Sequence, residues 1–284
     1  MGYIDFTEER IAEHIKLGYG QGCGANYIPW IGVGSFSNKG RGSRVFGIKF
    51  PRKHDLLSDL ETKFYYWLEW NENVIDIREQ YPLFPVFETE EIARLLGVEY
   101  PPKIGGNNSF VMTTDFFVTV KVGNTTQYIA YNVKYSKDLS DRVLEKLSIE
   151  KEYWNRRGVN WLLVTEMSID MNECANMRFF QERFDYPLKV TLDESMASEP
   201  IEQLRRSIAE GQGILAEVTS ELDQIYNLKK GSMLALFRYL VAHKLIPVNL
   251  KIKFVPTKQI EELVDVSLLK AMLHSEDEKN DSIS

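Results

Sequence analysis

The chain has 284 residues, of which 44% are hydrophobic and 26% charged, and its formal net charge is −7. That length allows one or two domains with a buried core, and the acidic total argues against indiscriminate nucleic-acid binding, so contact with DNA has to be local. Cys23 and Cys174 have neither metal-ligand spacing nor a disulfide framework, which suits a reducing cytoplasm. No apolar leader opens the chain, and no apolar run reaches the roughly 18 residues that span a membrane.

Thr7-Glu8-Glu9-Arg10 opens a short helix that runs through Lys16. From Lys16 to His54 there is no acidic residue, whereas Lys16, Lys39, Arg41, Arg44, Lys49, Arg52 and Lys53 are all present among many glycines. Those glycines match neither GxGxxG nor a P-loop, so a nucleotide cradle is not expected. A basic, glycine-rich segment in an acidic chain predicts contact with DNA phosphates, with a solvated loop as the alternative.

Leu56 to Trp70 has helical spacing. At about 100° per residue, Leu57, Leu60, Phe64, Trp67 and Leu68 share one arc, and Glu61 falls inside it. A carboxylate on a buried face must be paired, protonated or bound to metal. Ser58-Asp59-Leu60-Glu61 also reads as a capping box, in which Glu61 would only tie back to the Ser58 N–H. The two roles compete for one carboxylate. Asn73 to Pro82 then leads into a first core strand, and Thr89 to Gly97 reads as a helix. Pro101-Pro102 and Gly105-Gly106 mark a loop.

Phe110 to Tyr135 alternates on both sides of Gly123-Asn124, a dipeptide that closes two-residue β-hairpins. With that turn, paired numbers sum to 247. Asp115 then falls opposite Asn132, and Lys134 lies opposite Thr113, diagonal to Asp115. The hairpin would gather a carboxylate, an amide and an ammonium on one face. The alternative is a polar row facing solvent, and a slip of one residue would separate the three.

Ser140 caps a helix with Val143, Leu144 and Leu147 on its apolar stripe, and Gly158 stops it. Val159 to Glu166 reads as a buried strand. A strand-helix-strand crossover makes it parallel to the lysine-bearing strand. A boundary lies between Ser168 and Met171, and Asn176 to Arg183 reads as a linking helix. Ile201–Glu210, Ile214–Asn227 and Ser232–Lys244 read as three helices and Val248–Val255 as a strand, the order of a winged helix. From Lys229 to Ile260 acids are again absent, while Lys229, Lys230, Arg238, Lys244, Lys251, Lys253 and Lys258 are present. That pattern suits either a DNA-facing third helix and wing or a docking module. The tail Ser275 to Ser284 is expected to be disordered.

A helix carrying Glu, a strand carrying Asp and a next strand ending in x-x-Lys resembles the PD-(D/E)xK restriction-endonuclease-like nucleases. More closely, HDLLSDLE (54–61), DIREQYPL (76–83), MTTDF (112–116) and NVK (132–134) resemble the TnsA-like endonuclease subunits of heteromeric cut-and-paste bacterial transposons. The likeness in kind covers roughly the first 165 residues. It implies an α/β chain with a restriction-endonuclease-like mixed-sheet domain over 1–168, and the element order read above adds a small winged-helix-like domain over 172–274. It implies Glu61, Asp115 and Lys134 as catalytic residues. Glu61, Asp115 and Asn132 would be the ligands for one or two Mg²⁺ ions.

The family usually has Gln where Asn132 stands, and Asn is one methylene shorter. Arg78-Glu79-Gln80 also looks family-like, with Glu79 either orienting Lys134 or a metal-bound water, or acting as a surface ion-pair partner. The implied activity is cleavage of the 5′ ends of a transposon. The implied partners are double-stranded transposon-end DNA, a TnsB-like DDE transposase and a TnsC-like AAA+ ATPase. A stand-alone restriction or repair nuclease of this fold, and a non-catalytic winged-helix adaptor, are the alternatives.

Overall fold

The computed structural model describes residues 7–34, 41–101, 110–184 and 198–281. Lys39 and the Gly105-Gly106 loop lie outside the described residues. The chain divides into two compact units, 1–170 and 171–284.

The first unit is built on a four-stranded mixed sheet in the order β3-β4-β5-β6. The strands are β3 (Val74–Pro82), β4 (Thr113–Val122), β5 (Thr125–Val133) and β6 (Asn160–Val164). A separate antiparallel pair joins β1 (Ser43–Phe46) to β2 (Lys53–Leu56). The helices are α1 (Glu8–Lys16), α2 (Asp59–Trp70), α3 (Val86–Leu96) and α4 (Asp141–Asn155). Thr7 caps α1, its hydroxyl accepting the Arg10 N–H.

The hairpin forms as expected. Gly123 turns at φ +59°, the left-handed region that a glycine enters at little cost. Val122 pairs with Thr125 and Phe116 with Tyr131, so the register sum of 247 is observed. β6 pairs in parallel with β5, as the crossover through α4 requires.

The alternation of strand residues sends one row toward α2 and the other toward α4. Phe116 and Tyr131 both meet the Phe64 ring of α2, at 5.7 and 5.0 Å between centroids. Phe117 stacks on Trp154 of α4 at 4.6 Å. Leu83, Ile92, Met112, Ala130 and Ile149 join Phe117 and Trp154 in one buried cluster. Phe64 is itself 2% exposed, so truncating it to Ala removes about 3–5 kcal/mol.

The second unit is helical. It contains α5 (Met171–Gln181), α6 (Ser198–Ala209), α7 (Leu215–Ile225), α8 (Ser232–Ala242), α9 (Ile260–Leu263) and α10 (Val266–Asp281). The three helices expected from the sequence are α6, α7 and α8. The expected strand over Val248–Val255 is not formed. Leu250 and Lys251 turn, and Val248 makes an isolated bridge to Val264. Asn176 of α5 holds this segment instead, donating Nδ2 to the Leu250 and Ile252 carbonyls and accepting from the Phe254 N–H.

The expected disorder of the tail is also corrected, since α10 continues through Asp281. Two acids of this tail are held by arginines of α6. Arg205, whose side chain is 5% exposed, makes a two-pronged contact with Glu276 at 2.6 and 2.9 Å, and Arg206 reaches Asp277 at 3.0 Å. Residues 282–284 of that tail lie outside the described residues.

Candidate active site

Glu61 sits in the first turn of α2, 4% exposed. Ser58 caps the helix by accepting the Glu61 N–H at 3.1 Å. The Glu61 carboxylate accepts the Ser58 hydroxyl at 3.0 Å and the Leu57 N–H at 2.9 Å. The cap and the site therefore share this residue. Its backbone closes the helix end, while its Oε2 also takes Gln80 Nε2 at 3.3 Å.

Asp115, 6% exposed, lies where the sheet is interrupted. On one side of the break Glu79 pairs with Phe116, and on the other Tyr81 pairs with Thr114. Between them Gln80 adopts φ +48°. Simple alternation would send Asp115 toward α4, the side Phe117 faces, and Thr114 toward α2. Thr114 instead donates to Glu150 of α4 at 2.8 Å and accepts from Trp154 Nε1 at 2.6 Å. Asp115 turns the other way. Its Oδ2 accepts the Val133 N–H and the Lys134 ammonium, each at 2.7 Å, and its Oδ1 takes Gln80 Nε2 at 3.4 Å.

Lys134 follows the last residue of β5 and also donates to the Val133 carbonyl at 3.0 Å. Its side chain is 33% exposed against 9% for Asp115, so Lys134 is the more accessible of the two. Burial acts to lower Lys134, but the Asp115 and Glu61 carboxylates hold it above its ordinary value. Burial first, and Asp115 second, push Glu61 up to about 7.

The structure thus brings together Glu61, Asp115 and Lys134, the three residues singled out from sequence. The solvent-facing reading of the hairpin's polar row is overturned by the burial of Asp115 and Asn132. Asn132, 4% exposed, does not share the Asp115 cluster in the way its register position suggested. Its Nδ2 donates to Glu150 Oε2 at 2.8 Å, and its Oδ1 has no hydrogen-bond partner among the described residues.

Glu79 is neither a partner of Lys134 nor a surface residue, because it is fully buried. Arg52 donates to both of its oxygens at 2.6 Å, and His54 Nδ1 lies 3.0 Å away. Burial opposes ionisation of Glu79, but Arg52 and His54 hold it down at about 2. This corrects part of the basic-segment expectation. Arg52 is consumed inside the fold, and Lys49 donates to the Asn71 and Val74 carbonyls. Arg41 and Lys53 remain exposed.

Two residues in this neighbourhood were missed. Glu150 is buried on α4 and pushed up to about 7 by burial and then by Asp115. Its signal was its place three residues after Leu147 and four before Trp154, on the apolar face. Gln80 touches both carboxylates, and nothing in the pattern of a strand announces a left-handed residue.

Two buried acids with one shared ammonium leave negative charge that a divalent cation would offset, and both offer the hard oxygens such an ion prefers. No cluster of three His, Cys, Asp or Glu side chains suited to a metal occurs among the described residues. An ion at this site would therefore draw on amide or main-chain oxygens as well. The donor set fits a divalent metal.

A family model described as "TnsA-like endonuclease N terminal" matches residues 71–166, and one described as "TnsA endonuclease C terminal" matches residues 169–250. The chain is 36% identical over 250 residues to the transposon Tn7 transposition protein TnsA of Escherichia coli, covering 86% of this chain and 87% of that one. The chain belongs to the TnsA endonuclease family. It is a DNA endonuclease subunit of a transposase, with a restriction-endonuclease-like first unit. Membership carries with it a divalent metal, transposon DNA and transposase partners in general. The N-terminal family match begins at residue 71, so Glu61 and the whole of α2 precede it. No helix among the described residues is long and apolar enough to cross a membrane.

Proposed function

We propose that this TnsA-family subunit hydrolyses the 5′ ends of its transposon, the strands not transferred, with Mg²⁺ held at Glu61 and Asp115. The observation that carries the reading is the contact of Asp115 Oδ2 with Lys134 Nζ, with Glu61 raised to about 7 beside them. When bound, the ion supplies positive charge to the scissile phosphate and makes water more acidic.

The chain's own residues do the rest. Asp115 and the Val133 carbonyl fix the Lys134 ammonium, which neutralises the phosphate at the edge of the buried site. Glu61 gives up its proton when a cation arrives, because the cation replaces the missing counter-charge. Asn132 offers its unpartnered Oδ1 as a further hard oxygen. Glu150 ties Asn132 to Thr114 on the neighbouring strand.

The partners proposed are a TnsB-like DDE transposase, which would cut the 3′ ends, and a TnsC-like AAA+ regulator. The cytoplasm is the proposed compartment. The test is strand-resolved mapping of transposon-end cuts in a reconstituted system with and without Mg²⁺. Cuts at the 5′ ends that require this chain, are lost on chelation and are restored by Mg²⁺ support the reading. Cuts at a defined site by this chain alone would favour the stand-alone nuclease.

A further inference from the structure

Gln80 is 2% exposed and stands at the break between the Glu79–Phe116 and Tyr81–Thr114 pairs. It takes φ +48°, a region costly for a residue with a side chain. Its carbonyl is turned out of the ladder and accepts the Trp30 N–H at 3.2 Å. The strained backbone delivers one side-chain amide between two acids. Gln80 Nε2 lies 3.3 Å from Glu61 Oε2 and 3.4 Å from Asp115 Oδ1. Both contacts are long for N–H···O bonds, which cluster near 2.9–3.0 Å. The amide therefore occupies the gap between the carboxylates without binding either of them tightly.

The other end of the amide is held by Thr113, whose hydroxyl lies 3.0 Å from Gln80 Oε1. A hydroxyl both donates and accepts, so Thr113 serves either end of the amide equally. If the amide turns over, Nε2 donates to Thr113 and Oε1 faces Glu61 and Asp115. Among the described residues only two acids converge on this amide, and hard divalent ions take six or more oxygens. An amide oxygen in the gap fills a place that waters alone would otherwise take.

We propose that Gln80 is a metal-ligating residue, whose amide donates to Glu61 and Asp115 without the ion and presents Oε1 to it once bound. This rests on the reading of Glu61 and Asp115 as the metal site. Thr113 is then the residue that keeps the amide in place in both orientations.

The test is Mn²⁺ binding by calorimetry on the full chain, with metal-free melting curves as the check on folding. Gln80→Met keeps the length and removes both polar atoms. It is expected to weaken Mn²⁺ binding by about 10-fold or more, in the range that loss of a metal-site group produces. Gln80→Glu keeps an oxygen and loses the donor, and is expected to bind at least as tightly as the wild type. Thr113→Val is expected to weaken binding severalfold, and decides the matter if Gln80→Met fails to fold. Wild-type affinity in both Gln80→Met and Thr113→Val would overturn the proposal, as would weakening by Gln80→Glu. Asp115→Ala separates the two readings. If it abolishes Mn²⁺ binding while Gln80→Met and Thr113→Val do not weaken it, only the role of Gln80 falls. If Asp115→Ala binds normally, the metal site itself is misassigned.

Discussion

Lys134 Nζ lies 2.7 Å from Asp115 Oδ2, across two neighbouring strands that leave the regular ladder at this point. The contact joins the most accessible member of the cluster to one of its buried acids. A charge-assisted bond of this length fixes the ammonium without removing it from reach of a phosphate. Lys134→Met removes that charge and leaves Asp115 Oδ2 with the Val133 N–H alone. Cleavage is expected to fall by at least about 10²-fold, the scale seen when a group that stabilises transition-state charge is removed. Mn²⁺ binding should be kept or tightened, because a competing cation has gone. Loss of metal binding in this variant would contradict the division of roles.

The raised Glu61 gives a pH signature. Its carboxyl sits at about 7 against an ordinary 4.5, through burial and then Asp115. The folded chain therefore keeps the proton at pH values where the unfolded chain has released it. Stability from this group is full below about pH 4.5 and is lost as pH rises through about 7. The loss amounts to roughly 3 kcal/mol at 1.36 kcal/mol per unit. Glu61→Gln is expected to remove its share of that slope from melting curves of the metal-free protein, leaving the share of Glu150, which is also pushed up to about 7. In the wild type, Mg²⁺ is expected to offset it and to bind more tightly toward the alkaline end. A metal-free wild type that gains stability relative to Glu61→Gln across this window would contradict the assignment.

The Arg52–Glu79 pair is a structural element, and its mutants separate folding from chemistry. Glu79→Ala leaves a buried guanidinium unpaired and is expected to cost about 3–5 kcal/mol. Arg52→Met combined with Glu79→Met should recover part of that loss, since His54 and the Asp55 N–H still lose Glu79. Denaturant titration of both variants checks the contrast. Equal destabilisation of the single and double variants would show that Glu79 matters for more than pairing.

Asn132 distinguishes a side-chain ligand from a structural amide. With Oδ1 on the ion, Asn132→Ala raises the Mg²⁺ requirement, and Asn132→Asp keeps it or lowers it. Unchanged requirements in both variants, measured by Mg²⁺ titration of cleavage, would leave Asn132 only its bond to Glu150.

The second unit is proposed to recruit the nuclease to its complex through its acid-free run. Lys251 and Lys253 are exposed, whereas Arg238 is bound to the Phe179 carbonyl and stacked on its ring. Charge reversal of Lys251 and Lys253 is expected to weaken DNA binding and flatten its salt dependence. Each lysine that neutralises a phosphate in the wild type should account for about one unit of that slope. Unchanged DNA binding with loss of co-purification with the ATPase would move the surface to protein docking.

The parts of the site that were legible in sequence are those set by local rules. Gly123 fixed the hairpin turn, the turn fixed the register, and the register brought Asp115 near the end of the lysine strand. Glu61 was visible because it breaks an apolar arc. What could not be read depends on partners far along the chain. Glu79 is buried because Arg52 and His54 reach it across 27 and 25 residues. Two acids of α10 are held by arginines 71 residues earlier. Asn132 was misjudged because the pleat breaks at Gln80 and Asp115, and alternation past a break carries no information about faces.

The central claim is that Glu61, Asp115 and Lys134 form the one site that cuts the 5′ ends. It is tested most directly by Asp115→Ala in the reconstituted system, with both strands of each transposon end mapped and the fold checked by melting. The expected result is loss of 5′ cuts, retention of 3′ cuts by the partner transposase, and a shift from simple insertions to cointegrates. Wild-type 5′ cleavage by a folded Asp115→Ala chain would contradict the account.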